Sequence, residues 1–234
     1  MPKDHRNNPA GAGFISVRKD SRKNSSQLNS DNVFDLHYNE YDNWFIRNQS
    51  VYLTELLALK KIITKPQRGL EIGIGTGRYA QMLGIPYGID ISFPMLKIAR
   101  ERECIVACAD ANKLPFKKDE FEYSLLMVTL CFVKSPKKVI KEAKRILVKD
   151  GKLVIGIIDK NSKLGRLYQK KDSVFYKSAR FFSTREVMQL FKKNGFRKII
   201  TYQTLFNEPD KINEIGKIKK GYGKGGFVVI AGIK

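Results

Sequence analysis

Between residues 69 and 79 the chain reads Gly-Leu-Glu-Ile-Gly-Ile-Gly-Thr-Gly-Arg-Tyr. A short apolar run gives way to glycine at every second position, Gly73, Gly75 and Gly77. Without a Cβ, this backbone bends sharply and approaches a ligand closely. The helix that follows turns its free N–H groups toward whatever lies in the loop. The spacing is G-x-G-x-G, not the G-x-G-x-x-G of dinucleotide-binding folds, and position 78 is arginine. The strand also carries an acid, Glu71. A carboxylate there repels a pyrophosphate and suits a cationic, amino-bearing ligand. Taken alone, the stretch is equally a tight strand-to-helix turn that holds nothing.

Other acids fall at regular intervals along the chain. Ile85-Pro86-Tyr87-Gly88-Ile89-Asp90 reads as a second strand, directly after a short helix that ends at Gly84. Asp90 stands where nucleotide-binding α/β folds place an acid for ribose hydroxyls. Ser92 is the better cap for the next helix, with Pro94 in its first turn, which leaves Asp90 available. Residues 104–108 read as strand three, ending in Ala109-Asp110-Ala111. Residues 123–128 form an apolar strand four, as in the centre of a parallel sheet. It runs into Thr129-Leu130-Cys131-Phe132, and helix 136–147 and strand 153–158 follow, closed by Asp159. Ser183-Thr184-Arg185-Glu186 is a capping box that opens another helix. Residues 196–204 and 225–231 supply two last strands with no closing helix.

The segment Ala109-Asp110-Ala111-Asn112-Lys113-Leu114-Pro115-Phe116, continuing to Asp119, Phe121 and Glu122, resembles the D-x-x-x-L-P-F-x-D-x-x-F-D stretch of the class I S-adenosylmethionine (SAM)-dependent methyltransferases, in the group that includes the ubiquinone and menaquinone enzymes. The glycine loop is similar to their E/D-x-G-x-G-x-G motif. The resemblance runs from Val33 to Lys234, with three departures: the helix after the glycine loop is short, Glu122 stands where the family has Asp, and Asp150 where it has Gly. It implies an α/β fold: a seven-stranded Rossmann-like sheet in order 3-2-1-4-5-7-6, the last strand antiparallel, with helices on both faces. It implies SAM as cofactor, held by Glu71, Gly73, Gly75, Gly77, Asp90, Ile91, Asp110, Ala111 and Thr129. Tyr41-Asp42-Asn43-Trp44 resembles the helix that crosses the cofactor mouth in many small-molecule enzymes, which adds Tyr41 and Trp44.

The remaining organisation follows from composition. Residues 1–31 are polar and basic, with little apolar periodicity, and read as a disordered tail. Residues 32–234 are expected to form one methyltransferase domain. In it, 32–65 make a helical cap (one helix or two, then an amphipathic one stopped by Pro66) and 160–182 a substrate lid. Candidates for the substrate pocket are Cys131, Asp159, Tyr168, Tyr176 and Arg180. His37 is a weak candidate for a general base, and no other catalytic residue is assigned. The three cysteines are too few and ill-spaced for a disulfide framework or a metal site, so no metal is expected. Cys104 and Cys108 are expected as small buried hydrophobes.

No apolar run is long enough to span a membrane, and no secretory signal is visible, so a cytoplasmic protein without membrane insertion is expected. The net charge of +21 gives non-specific affinity for nucleic acid whatever the substrate. The favoured function is methyl transfer from SAM to an O, N or C atom of a small molecule. The alternatives are an enzyme that modifies RNA or other nucleic acid and a SAM-binding protein without catalysis.

Overall fold

The structure, a computed structural model, describes residues 32–64, 68–207 and 214–234. The expected tail and Pro66 lie outside them. Three helices come first: α1 (Val33–Leu36), α2 (Tyr38–Arg47) and α3 (Gln49–Lys60). Strands and helices then alternate: β1 (Gly69–Ile72), α4 (Arg78–Leu83), β2 (Tyr87–Asp90), α5 (Phe93–Glu101), β3 (Ile105–Cys108), β4 (Phe121–Met127), α6 (Pro136–Ile146) and β5 (Leu147–Ile158). The chain closes with α7 (Lys163–Lys170), α8 (Thr184–Lys193), β6 (Arg197–Thr204), β7 (Lys219–Lys220) and β8 (Phe227–Ile233).

One sheet runs β3-β2-β1-β4-β5-β8-β6-β7. The five strands from β3 to β5 are parallel, whereas β8 lies antiparallel to both β5 and β6. This is the expected order with one strand added. The two residues of β7 pair with Tyr202 and Gln203 of β6, too short a run to leave a period in the sequence.

Alternation along the central strands fills a core on each face of the sheet. Leu125, Val154 and Val229 point to one face and pack with α3 and α4; Leu126, Ile155 and Ile230 point to the other, with α6 and α8. Each such side chain contributes about 1.5–3 kcal/mol when fully buried. Helix starts match their caps. Ser92 Oγ accepts from Met95 N, and Ser183 and Glu186 form the expected capping box.

One expectation about burial fails. Cys108 is exposed, although Cys104 is buried. β3 is the edge strand, so one flank and much of its length face outward, and an apolar run does not ensure burial there.

Candidate cofactor and acceptor site

The parallel strands all end at one edge, where the glycine loop turns into α4. Gly73, Gly75 and Gly77 each adopt positive φ, 74°, 55° and 81°. At Gly73 a side chain is also excluded by space, because an added Cβ meets Thr129 Cγ2 at 2.3 Å. Thr129 is thus seated against the loop by the chain leaving β4. That exit is strained: Val128, a β-branched residue, has φ 50°. Such a conformation costs about 1–3 kcal/mol and is held by its surroundings. Here Val128 N donates to Gly156 O at 3.0 Å. The turn swings residues 129–132 over the sheet edge.

Two acids converge beneath the loop. Asp90 Oδ2 accepts from Gly75 N at 2.8 Å and Oδ1 from Ser92 N at 2.9 Å. Burial raises its pKa, against the pull of those N–H groups. Glu71 is 1% exposed. It takes a hydrogen bond from the Ala80 backbone in the first turn of α4, yet its Oε2 is buried with no partner. Burial, with the nearby Asp90 charge as a smaller cause, holds its carboxyl well above the usual range. An unpartnered buried carboxylate oxygen is costly unless a donor arrives. Asp110 lies at the neighbouring strand end, where Ala109 N donates to Asp90 O at 2.9 Å. Asp110 Oδ1 accepts from the Asn112 backbone and side chain, both at 2.8 Å.

The N-terminal helices close over this edge. The Tyr41 ring and hydroxyl come 3.4 Å from where a Cβ on Gly75 would stand. Burial and the charges of Glu71 and Asp90 push the Tyr41 hydroxyl far up, so it stays protonated. The next residue fastens α2 in place. Asp42 accepts from Arg78 Nη2 at 2.6 Å and from Arg102 Nη2 at 2.9 Å. Burial opposes the Asp42 charge, but these bonds outweigh it and hold its pKa at about 2. Arg102 also donates to Thr76 O at 2.6 Å, so one ion-pair triad joins α2, the loop, α4 and α5. Behind it, Tyr79 OH donates to the buried Glu55, whose pKa burial raises to about 8.

Over the mouth, Phe34 meets Phe132 at 4.9 Å, Phe175 at 5.5 Å and Tyr41 at 6.1 Å between ring centres. Phe175 also meets His37 at 6.0 Å. The segment bearing Phe175 is joined to the loop after β4 by Arg180 N donating to Cys131 O at 2.9 Å.

The family model of a methyltransferase domain matches residues 70–155. A protein of Methanocaldococcus jannaschii without an assigned function is 48% identical over 87% of this chain and 99% of its own. A crystal structure from Thermotoga maritima, described as a SAM-dependent methyltransferase and possible histamine N-methyltransferase, is 47% identical. It covers 86% of this chain and 98% of its own, with a TM-score of 0.83. The chain is a class I SAM-dependent methyltransferase. A phosphoethanolamine N-methyltransferase of Haemonchus contortus, solved with SAM, shares the fold at 17% identity over 76% of this chain and 51% of its own, with a TM-score of 0.57.

SAM is the cofactor, and the residues present suit it. The orphaned Glu71 oxygen complements a cationic group, the glycine loop leaves room for close approach, and Asp90 keeps further lone pairs for hydroxyls. Of the expected residues, Tyr41, Glu71, Gly73, Gly75, Gly77, Asp90 and Thr129 come together. Ala111 follows Asp110 at the rim, and Ile91 is 60% exposed beside Asp90. Trp44 is partly buried and packs edge-on against Phe45, 5.2 Å between ring centres.

The pocket candidates divide. Both oxygens of Asp159 are engaged within the fold: Oδ2 accepts from Thr184 N and Oγ1 at 2.9 and 2.6 Å, and Oδ1 from Asn161 N at 2.8 Å. The exposed Arg180 guanidinium stands 5.1 Å from the Phe182 ring. Tyr168 and Tyr176 stack at 5.0 Å. Burial takes the Cys131 thiol up to about 12, which leaves it unreactive. Sequence reasoning missed the Asp42 triad and Glu55. Arg78 was visible as a break in the dinucleotide fingerprint, but its partner lies 36 residues away.

Proposed function

We propose that this methyltransferase acts on a small molecule, at nitrogen, oxygen or carbon, enclosed beneath the aromatic seal. The observation that carries this reading is the seal itself. Rings from α1, α2, the loop after β4 and the segment after α7 meet over the loop, which suits a small acceptor better than a folded macromolecule. The description of the Thermotoga protein supports nitrogen among the three acceptor atoms.

When bound, SAM supplies a methyl group already activated by its sulfonium. The chain's own part is position, which is worth up to about 7–11 kcal/mol in well-oriented reactions. Glu71 and Asp90 fix the two ends of the ligand, Thr129 and the glycine backbone set the depth, and Tyr41 covers the loop. No acid–base pair is needed to activate the donor. In this reading His37, 3.3 Å from Glu40 and beside Phe175, is the weak candidate for taking a proton from an acceptor.

Incubating the protein with methyl-labelled SAM and cell extract, then separating small molecules, protein and RNA, tests the reading. Label is expected among the small molecules. Label confined to RNA or protein overturns it, and SAM binding without label in any fraction leaves a binding protein.

A further inference from the structure

A second concave surface lies on the same sheet edge. β6 runs parallel to β5, so Thr204 ends level with Ile158, and Phe227 pairs with both. Above these ends a groove of about 290 Å³ separates α7 from the chain leaving β6. Its cations are Lys163, Arg166, Lys170 and Lys224, and none of the described residues lining it is acidic. The basic character extends beyond the groove. Among residues 160–182 the one acid is Asp172, against seven lysines and arginines.

Apolar surface is interleaved with this charge. Leu167 is 47% and Phe206 36% exposed, and both line the groove. The Lys219 ammonium stands 5.2 Å from the Phe206 ring centre. In the turn that follows β7, Tyr222 is 39% exposed, with Lys219, Lys220 and Lys224 around it in sequence. Cations alone suit any polyanion. Cations alternating with accessible rings suit an unpaired polynucleotide strand, whose phosphates meet the charges and whose bases stack on the rings. An acidic protein surface has no use for the rings.

We propose that this groove binds single-stranded RNA. The proposal goes beyond methyl transfer to a small molecule and does not depend on it. Four strand spacings of roughly 4.8 Å put the end of β6 about 19 Å from the glycine loop, so the groove is separate from the cofactor residues.

The test is fluorescence anisotropy of a labelled oligouridine of about 12 nucleotides. Neutralising the groove (K163Q/R166Q/K170Q/K224Q) is expected to weaken binding at least thirtyfold and to flatten a log–log salt slope of about −3. F206A is expected to cost about tenfold through lost stacking. A control that removes the same charge from α6 and the start of β5 (K137Q/K138Q/K141Q/K149Q) is expected to change affinity less than threefold. Thermal melts and retained SAM binding verify that each variant is folded. Equal losses in the groove and control variants mean that net charge alone binds RNA and overturn the proposal. So does unchanged binding by F206A, or equal affinity for a poly-glutamate peptide of the same length.

Discussion

At the glycine loop, Asp42, Glu55, Glu71 and Asp90 crowd under a seal of aromatic rings, in a chain that carries 44 lysines and arginines against 23 acids. At the α7–β6 groove, on the same sheet edge, Lys163, Arg166, Lys170 and Lys224 line an open surface. The contrast teaches that net charge describes the outside of this protein and misdescribes its cofactor site. Carboxylates tolerate burial there because each has specific donors or has shed its charge, whereas the lysines stay in water, where charge costs little. A cationic ligand and an anionic one can thus be served by one molecule without either field cancelling the other.

The sharpest way to break the contrast is Asp90→Ala. It removes a carboxylate that both fixes Gly75 and offers lone pairs to ribose hydroxyls. SAM affinity measured by calorimetry is expected to fall about 30- to 100-fold, some 2–3 kcal/mol. RNA affinity at the groove is expected to be unchanged. A parallel loss of both would mean that the two regions are one structural unit.

The part of this design that is local in sequence is the part that was legible in it. Glycine spacing, acids at several strand ends and the alternation of strands and helices are short-range patterns, and they marked the loop, Asp90 and the α/β class, while the order of the sheet came from the family resemblance. What was hidden depends on distant partners. Glu55 and Tyr79 meet across 24 residues, and Asp42 and Arg102 across 60, with nothing in either neighbourhood to announce it. α7 was hidden differently. Residues 160–182 are expected as a lid with no helix assigned, yet α7 forms there, and Gly165 is needed where an added Cβ would meet Asp159 O at 2.1 Å. Asp159 is a pocket candidate because strand ends face the site, and that rule does not reveal that its carboxylate also accepts from Thr184 at the start of α8.

Glu55→Gln sharpens the acidic side through stability. Its pKa is raised from 4.5 to about 8, so the folded state favours the protonated form. The stability it lends is present below its unfolded pKa and is lost as pH rises toward the folded one, at roughly 1.4 kcal/mol per pH unit between them. Urea unfolding is expected to show wild type losing about 2 kcal/mol from pH 6 to 8. The glutamine variant, which keeps an acceptor for Tyr79, is expected to lose about 2 kcal/mol less than wild type over that range, Glu71 titrating in both. Identical pH profiles would place the titration elsewhere.

Asp42→Asn reports the opposite limb. With its pKa lowered to about 2, Asp42 stabilises above the unfolded value and loses that contribution as pH falls through the acid range. Its side chain is 16% exposed, so solvent screening trims the effect to about 1–2 kcal/mol at neutral pH. The variant is expected to unfold at lower urea at pH 7 and to converge on wild type near pH 2. Amide exchange over α2 is expected to quicken while that of α6 does not.

Glu71→Gln gives the smallest change in magnitude and bears most directly on why an acid lies under the loop. In the free protein, burial favours the protonated side chain, and Oε2 has no donor. A cation beside it favours the ionised form, so binding releases a proton there, and affinity must rise with pH across the range in which free Glu71 is still protonated. Glutamine keeps the acceptor for Ala80 but cannot ionise. SAM binding is expected to weaken about tenfold at pH 8 and to lose its pH dependence, and calorimetry in buffers of different ionisation enthalpy is expected to show no proton release. If wild-type affinity is itself flat with pH, the orphaned oxygen does not face the ligand's charge, and Glu71 is reduced to a cap on α4.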